Sequence, residues 1–291
     1  MPFTKMHGLG NDYVFVDCLD VSLAGVDIPA LARATSDRHR GVGSDGLILI
    51  CPPDDGVEAH ARMEVYNADG SRAEMCGNGI RCVAKYVIES GIASGKCVAD
   101  RRAVRIQTDR GVRALEAYLS NGLVQRVRVD MGRPILEPGK IPVDVPGDRC
   151  VRVPLSVGGA SYVTTCVSMG NPHAVVFVPD PDAIDLAALG RQVEHLPLFP
   201  NRVNLHLAGV QSRQSAVMRT WERGSGLTMA CGTGACAVLV AGVLEGRLDR
   251  AATIRLPGGD LSIEWVQESS EASAVCMTGP AVEVFRGEWP T

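Results

Sequence analysis

The sequence predicts an α+β fold of two pseudosymmetric domains, each a curved, mostly antiparallel β-sheet or barrel wrapped round a central apolar helix. Runs in which polar and apolar residues alternate, such as AVRIQT and ATIRLP, are typical of half-buried strands. Two helical stretches, Gly79–Ser90 and Thr233–Glu245, are apolar on nearly every side, and such a helix must be surrounded by other elements. The two halves of the chain also carry similar motifs in the same order.

The remaining elements follow from local patterns. GNDYVFV and GNPHAVVFV each predict a Gly-Asn turn that leads into a strand of β-branched and aromatic residues. VQRVRVDM and AVEVF alternate as half-buried strands do. Two further helices are predicted at Ile28–Arg38 and Asp182–His195. Gly91 and Gly246 follow the two apolar helices, where a glycine is favoured as the C-terminal stop.

The repeated motifs indicate an ancient duplication. Asn11 and Cys76 are 65 residues apart in the first half, and Asn171 and Cys231 are 60 apart in the second. Each cysteine is preceded at nine residues by a polar motif, YNADGS in the first half and WERGS in the second. Between the copies, Met131–Gly159 is dense in proline and glycine, which interrupt helices and sheet ladders. We therefore expect a hinge there.

Composition excludes several classes of function. Of 291 residues, 46% are hydrophobic and 21% charged, which is typical of a globular protein with a core. The net charge of −4 gives no electrostatic reason to expect nucleic acid or an anionic membrane as partner. The N-terminus has no signal-peptide pattern, and the longest apolar run, Ala235–Leu244, is about half the length of a bilayer span. We expect no membrane association and a cytoplasmic protein.

The ten cysteines do not form a metal-binding pattern. The chain has no Cys-x-x-Cys pair, and neither Cys76/Cys82 nor Cys231/Cys236 has zinc-finger spacing, so no metal site is predicted. Six others lie in or near apolar stretches and are predicted to be small buried hydrophobes: Cys18, Cys51, Cys97, Cys150, Cys166 and Cys276.

Cys76 and Cys231 each precede a glycine-containing turn that opens an apolar helix. Free N–H groups and the helix dipole favour an anion at that position. A thiol there is expected to lose its proton more easily, with a pKa lowered from about 8.5 to roughly 3.5–7.5, and a substrate carboxylate can be bound by the same N–H groups. If two such sites face each other across a cleft, one thiolate can remove a proton from a carbon while the opposite thiol donates one, which inverts that carbon.

Three other interpretations stay open at this point. A Cys–His nucleophile for acyl transfer would use His173, but it leaves one cysteine without a role. A redox pair would explain both cysteines and not the glycine turns. A binding or structural protein without catalytic activity would explain the repeat and neither thiol.

Seven motifs, in order, resemble the diaminopimelate epimerase family: KMHGLGNDYVFVD, NADGS, MCGNGIRC, GNPHAV, RVNLH, WERGSG and ACGTGACA. The resemblance covers essentially the whole chain. It implies an isomerase without cofactor that interconverts LL- and meso-2,6-diaminopimelate, a small-molecule substrate, on the route to lysine and peptidoglycan. It also implies a first repeat at residues 1–131, a second at 132–275, a C-terminal strand at 276–291 that returns to the first, and a homodimer.

The resemblance also assigns roles to residues of this chain. Cys76 and Cys231 would be the acid and base, and His173 and Glu222 would support them. The reacting carboxylate and the distant end of the substrate would be held by a larger set, in which Glu222 accepts from an ammonium group: Asn11, Asn67, Gly77, Asn78, Asn171, Asn204, Glu222, Arg223, Gly232 and Thr233.

Two positions depart from the family pattern. Gly46 stands where many relatives have glutamine, which removes one side-chain contact. Leu227 replaces a charged residue near the second cysteine, and this affects substrate preference and thiol tuning more than the reaction. Five histidines show no paired chemistry in the sequence and are predicted to be structural or exposed: His7, His39, His60, His195 and His206.

Overall fold

A computed structural model describes residues 1–73, 75–94, 97–266 and 274–290 of the chain. It divides into two compact units, one made of Met1–Val129 together with the chain from Thr278 onward, the other of Asp130–Met277. They are called unit 1 and unit 2.

Unit 1 is built from a chain of paired strands and two helices. The strand β1 pairs antiparallel with both β2 and β18, and β2 pairs parallel with β3. The order continues antiparallel to β4, parallel to β6 and antiparallel to β7 and β8, with the short β5 also on β4. The elements are β1 (Pro2–Gly8), β2 (Asn11–Asp17), α1 (Ile28–Ser36), β3 (Gly46–Cys51), β4 (Ala61–Asn67), β5 (Arg72–Ala73), α2 (Gly77–Glu89), β6 (Arg101–Thr108), β7 (Gly111–Ser120), β8 (Leu123–Asp130) and β18 (Val282–Glu288).

Unit 2 repeats this arrangement. The strand β10 pairs antiparallel with β9 and β11, β11 parallel with β12, and β12 antiparallel with β13. The short β14 lies on β13, which then pairs parallel with β15, and β15 pairs antiparallel with β16. The elements are β9 (Val153–Val157), β10 (Ala160–Ser168), β11 (Pro172–Phe177), α3 (Leu186–Val193), β12 (Asn204–Ser212), β13 (Ser215–Glu222), β14 (Gly226–Thr228), α4 (Gly232–Leu244), β15 (Ala251–Leu256) and β16 (Gly259–Trp265). The strand β17 (Val275–Pro280) begins in unit 2 and, from Thr278, belongs to unit 1.

The central helix of each unit is enclosed by strands. The helix α2 packs against β1, β2, β4, β6 and β7, and α4 packs against β10, β11, β12, β15 and β16. Each helix contacts strands near the beginning and near the end of its unit's series of paired strands. The strands of each unit therefore curve round the helix. The α+β fold class is confirmed. The repeat boundaries at 131 and 275 stay a prediction.

All four helix predictions are wrong at their ends, and a capping hydrogen bond explains the largest difference. The helix predicted from Asp182 begins at Leu186, because the Asp185 carboxylate accepts from the Ala188 N–H at 3.0 Å and caps it. The two apolar helices begin at Gly77 and Gly232, two residues and one residue earlier than predicted, so each cysteine is itself the N-cap. The predicted first helix ends at Ser36 instead of Arg38.

The predicted hinge is also wrong in part. Ile141, Val143 and Cys150 are buried in the core of unit 2, together with Leu155 and Val157 of β9. Proline and glycine interrupt hydrogen-bond ladders, but they do not prevent the apolar residues between them from packing. The segment is therefore part of unit 2.

Among the helices that the structure describes, none is both long and apolar enough to cross a bilayer.

Candidate active site

Cys76 is the N-cap of α2. Its backbone is extended, with φ −130° and ψ 114°, and its sulfur accepts a hydrogen bond from the Gly79 N–H at 3.3 Å. The first N–H groups of a helix have no partner within it, so the sulfur satisfies one of them. A Cβ at Gly79 would lie 2.4 Å from Ile48 Cδ1, so glycine allows the helix mouth to approach β3.

Residues of the first Gly-Asn turn surround the Cys76 sulfur. It lies 3.6 Å from Asn11 Oδ1 and 3.5 Å from the Tyr13 hydroxyl. Asn78 Nδ2 donates to the same Asn11 oxygen at 3.1 Å. Asn11 Nδ2 donates to Asp45 at 2.8 Å, which fixes the orientation of the Asn11 amide. The structure therefore brings together three of the predicted residues, Asn11, Cys76 and Asn78, and adds Tyr13 and Asp45, which the sequence analysis missed.

Gly46 makes room for Tyr13. The two residues pair across β2 and β3, and a Cβ at Gly46 would lie 3.0 Å from Tyr13 Cε1 and 2.2 Å from the Tyr66 carbonyl oxygen. Gly46, noted in the sequence as the loss of a side-chain contact, thus accompanies a tyrosine whose hydroxyl reaches Cys76. The local sequence carries no signal of this contact, because the pairing of β2 with β3 appears only in the structure.

Arg81 is a buried cation at the same helix mouth. Its guanidinium donates to Asn78 Oδ1 at 3.0 Å and to the carbonyls of Gly77 at 3.1 Å and Pro280 at 3.1 Å. The side chain is completely buried. Its charge favours the thiolate of Cys76. The sequence does not single out this residue, because an arginine one turn into a helix is ordinarily exposed.

Cys231 is the N-cap of α4, with a different set of neighbours. Its sulfur lies 3.6 Å from the Thr233 hydroxyl and makes no capping hydrogen bond of the kind seen at Cys76. A Cβ at Gly234 would lie 2.4 Å from Cε1 of the His206 ring, so the first turn of α4 packs directly on an imidazole. Cys231 is 4% exposed.

Glu222 and the turn that follows it lie beside Cys231. The Glu222 carboxylate accepts from the Thr228 hydroxyl at 2.5 Å. The buried Glu194 carboxylate accepts from Trp221 Nε1 at 2.8 Å and from the Gly224 N–H at 3.1 Å, which holds this turn in place. Glu194 is a further residue that the sequence analysis missed.

His173 and His206 form a hydrogen-bonded pair in unit 2. Their Nδ1 and Nε2 atoms are 2.8 Å apart, His173 Nε2 lies 2.9 Å from Asn171 Oδ1, and His206 Nδ1 lies 3.1 Å from the Thr220 hydroxyl. The prediction that His206 shows no paired chemistry is wrong. Residues 33 apart meet because β11 and β12 are adjacent parallel strands, a pairing that the local sequence does not reveal.

The expected lowering of the thiol pKa values is wrong in this structure. Protein atoms packed around the sulfur raise the pKa of Cys76, although part of the residue is accessible and Tyr13 and the Gly79 N–H act in the opposite direction. Burial, and next the Glu222 carboxylate, raise the pKa of Cys231 well above its usual value. Desolvation of the charged form thus exceeds the effect of the helix N-terminus at both sites.

The other predicted binding residues differ in exposure. Asn67 is exposed and donates to the Ser71 hydroxyl at 2.9 Å. Asn204 is buried, with its amide donating to the Pro172 carbonyl at 2.7 Å and accepting from the Arg223 N–H at 3.0 Å. Arg223 Nη1 donates to the Asn201 carbonyl at 2.9 Å. Asn204 therefore fixes the main chain from which the Arg223 side chain extends.

Two exposed side chains stand near the second cysteine. Leu227 is 50% exposed and Met229 is 52% exposed, which is high for apolar residues. Of the six cysteines predicted to be buried, Cys150 and Cys166 are buried, whereas Cys18, Cys51 and Cys276 are half-buried and the prediction is wrong for Cys97, which is exposed. Cys82 and Cys236 are also buried. Within the described ranges, no three His, Cys, Asp or Glu side chains are grouped as metal ligands would be.

The chain matches a family of known proteins over most of its length. The sequence profile described as "Diaminopimelate epimerase" matches residues 3–137 and 165–284. A diaminopimelate epimerase of Pelotomaculum thermopropionicum is 50% identical over 290 residues, which cover 100% of this chain and 99% of that protein. One from Acetivibrio thermocellus is 48% identical over 289 residues, covering 99% of this chain and 98% of the relative.

A solved structure extends the similarity to the fold. The Bacillus anthracis phenazine biosynthesis protein of the PhzF family superposes with a TM-score of 0.71, covering 100% of this chain and 99% of that one. At 14% identity this similarity concerns the fold alone.

Proposed function

The chain belongs to the diaminopimelate epimerase family, and we propose that it interconverts LL- and meso-2,6-diaminopimelate by transferring protons between its α carbon and two cysteine thiols. The observation that carries the proposal is the repeated N-cap: in each unit a cysteine is the N-cap of a buried helix, at the end where backbone N–H groups and the helix dipole favour an anion such as a carboxylate. Neither a redox pair nor a single Cys–His nucleophile requires that arrangement twice.

In the proposed reaction, the N–H groups at Gly77 and Gly232 and the side chains of Asn78 and Thr233 hold the carboxylate on the reacting carbon. A thiolate takes the α proton and becomes a thiol, and the electron pair is delocalised into that carboxylate. The second thiol, on the opposite face, gives its proton to the carbon and becomes a thiolate. The reverse reaction exchanges the two roles, for which chemically identical groups are suited.

The raised thiol pKa values fit this chemistry. An α proton next to a carboxylate is a very weak acid, so a base of higher pKa removes it more effectively once the base is ionised. The Tyr13 hydroxyl and the Thr233 hydroxyl are the donors that stabilise the thiolates. Burial and the Cys76 sulfur raise the pKa of Tyr13 well above its usual value, so this hydroxyl keeps its proton and donates.

The remaining residues are proposed to hold the substrate. Asn67 and Arg223 would bind the distant amino-acid end, with the Arg223 guanidinium forming two parallel hydrogen bonds to that carboxylate. Glu222 would accept from an ammonium group. Asn11 would orient the Asn78 amide, which donates to it, and Asn204 the main chain of Arg223. Asn171 would orient Thr233, since its Nδ2 donates to the Thr233 hydroxyl oxygen at 3.4 Å.

The acyl-transfer alternative is disfavoured by the surroundings of His173. Both of its ring nitrogens already have hydrogen-bond partners, Asn171 and His206, and burial lowers its pKa well below the usual value. A general base for a cysteine nucleophile needs a ring nitrogen directed at the sulfur. His173 is therefore assigned a supporting role.

The decisive experiment is epimerisation of LL-diaminopimelate in deuterated water, stopped at low conversion. Two-base chemistry places solvent deuterium in the meso product, because the donating thiol has exchanged with solvent, and leaves the recovered LL substrate largely unlabelled. Equal labelling of substrate and product would indicate a single base. Absence of any epimerisation would reject the proposed function.

We also propose a homodimer located in the cytoplasm, acting without cofactor. Sedimentation equilibrium that returns the mass of one 30.9 kDa chain at micromolar concentration would contradict the dimer.

A further inference from the structure

We infer that His206 is a positioning residue for Cys231, acting through His173, Asn171 and Thr233; this rests on the proposed function of Cys231. A continuous chain of polar contacts joins them. The Thr220 hydroxyl, His206, His173, the Asn171 amide and the Thr233 hydroxyl succeed one another at 3.1, 2.8, 2.9 and 3.4 Å, and the Thr233 hydroxyl is 3.6 Å from the Cys231 sulfur.

The chemistry of the members sets the direction of every hydrogen bond. Asn171 Oδ1 can only accept, so His173 Nε2 carries the proton that it donates there. A neutral His173 then has an unprotonated Nδ1, which must accept from His206 Nε2–H. His206 Nδ1 is left as an acceptor, and the Thr220 hydroxyl donates to it.

The same direction continues to the sulfur. With Oδ1 occupied by His173, the Asn171 Nδ2–H faces the Thr233 oxygen and donates to it. The hydroxyl proton of Thr233 is thereby directed to its other neighbour, the Cys231 sulfur. Every donor in the chain points towards Cys231, so the arrangement stabilises the thiolate.

Burial keeps both imidazoles neutral, as this direction requires. His173 and His206 are each 0% exposed, and Thr220 is 2% exposed. Burial lowers the pKa of His206 to about 3, and burial, His206 and the Arg223 charge lower the pKa of His173 well below its usual value. A protonated imidazole would have no acceptor nitrogen, and the chain would be interrupted. The charged group that faces Cys231 itself is Glu222.

Packing fixes the first ring. Gly234, in the first turn of α4, lies so close to the His206 ring that a Cβ would be 2.4 Å from Cε1, 2.9 Å from Nε2 and 3.0 Å from Nδ1. The ring is thus held between β13 and the helix that Cys231 begins. Unit 1 provides the matched case: Ile48 occupies the corresponding place against Gly79, without any hydrogen-bonding group.

The first test reads the protons directly. Nitrogen chemical shifts of ¹⁵N-histidine protein should show the Nε2–H tautomer at both His173 and His206, unchanged from pH 8 to pH 5. An Nδ1–H tautomer at either residue, or protonation of either above pH 5, would overturn the inference. This measurement uses the wild-type chain and needs no activity, so it stands even if diaminopimelate is not the substrate.

The second test compares two variants. His206→Ile introduces the residue that unit 1 has at this place and removes the donor, whereas His206→Gln keeps an amide N–H near the position of Nε2–H. His206→Ile removes the hydrogen bond to His173 Nδ1 on which the orientation of the chain depends. Its loss should raise the alkylation midpoint of Cys231 by roughly 0.5–1 pH unit and lower kcat/KM at pH 7 about three- to tenfold. Gln should restore most of both.

Cys76 is the internal control, since iodoacetamide labelling of both cysteines is read by mass spectrometry in the same sample. Its midpoint should not move in His206→Ile, and Ile48→Val in unit 1 should leave the Cys231 midpoint unchanged. Equal midpoints for Cys231 in wild type and His206→Ile, or equal effects of Ile and Gln, would mean that His206 is only a packing residue.

Discussion

The N-termini of α2 and α4 have the same backbone arrangement, with a cysteine as the N-cap, but different side chains surround the two sulfurs. In unit 1, β2 and β3 place Tyr13 beside Gly46 and Phe15 beside Ile48. In unit 2, the corresponding parallel pair β11 and β12 places His173 beside Asn204 and Val175 beside His206. A tyrosine hydroxyl reaches the first sulfur directly, whereas a chain of amide and imidazole groups ends at the second. A duplicated fold thus preserves the helix N-cap while its supporting side chains diverge.

The charges near the two sulfurs also differ. The buried Arg81 favours a thiolate at Cys76, whereas the carboxylate of Glu222 disfavours one at Cys231. The comparison indicates that Cys76 ionises at the lower pH. The pKa of Cys231 is therefore raised further than that of Cys76, although the two cysteines exchange roles in the proposed reaction.

The largest expected effect separates reacting from packing cysteines. Cys76→Ala and Cys231→Ala should each reduce epimerisation by at least about 10³-fold, because each removes one of two proton carriers. Cys82→Ala and Cys236→Ala are the matched controls: both side chains are buried in the same helices, and they should keep activity while losing about 1 kcal/mol of stability. Steady-state rates measure the activity of the four variants, and thermal unfolding measures their stability. Full activity in either member of the first pair would refute the equivalence of the sites.

Acid should destabilise unit 2 through its imidazole pair. The folded pKa of His206 is about 3, below the unfolded value near 6.5, so the unfolded chain binds more protons between these values. The contribution of the neutral imidazoles to the free energy of unfolding is fully present above about pH 6.5. It should decrease as the pH falls towards 3, by about 1.4 kcal/mol per pH unit for each imidazole. Urea unfolding between pH 7 and pH 4 measures the slope. His206→Gln should reduce this slope by the contribution of one imidazole, whereas Ile48→Val in unit 1 should leave the slope unchanged.

Alanine in place of the first-turn glycine of α4 or α2 should lower the free energy of unfolding by different amounts in the two units. Gly234→Ala would press a Cβ into an imidazole ring held by two hydrogen bonds, and overpacking of this kind costs about 1–3 kcal/mol. Gly79→Ala meets the terminal methyl of Ile48, which can rotate away, so it should cost less. Chemical unfolding of both variants checks the order. A larger loss for Gly79→Ala would contradict it.

The smallest effect concerns the tyrosine. Tyr13→Phe removes the hydroxyl that lies 3.5 Å from the Cys76 sulfur and can donate to its thiolate. The pKa of that thiol should therefore rise by up to about one pH unit, equivalent to the roughly 0.5–1.5 kcal/mol of a hydrogen bond. Iodoacetamide labelling against pH measures it. Tyr66→Phe, whose hydroxyl lies 3.2 Å from Glu64, is the control and should leave the Cys76 midpoint in place.

The sequence alone determined the α+β class, the two apolar helices and the cysteine that begins each one. These features depend on local patterns: alternation in strands, a glycine-rich first turn, and Gly91 and Gly246 with positive φ at the C-terminal stops. Their causes lie within a few residues of one another, so a linear reading detects them.

Only the tertiary structure decided what surrounds each sulfur. His173 meets His206 because parallel strands bring together residues 33 positions apart, and Tyr13 reaches Cys76 across 63 positions because Gly46 leaves room for its ring. The direction of the thiol pKa shifts was also decided by the tertiary structure. The helix N-terminus is visible in the sequence, but the burial that outweighs it is a sum over packed neighbours from the whole unit.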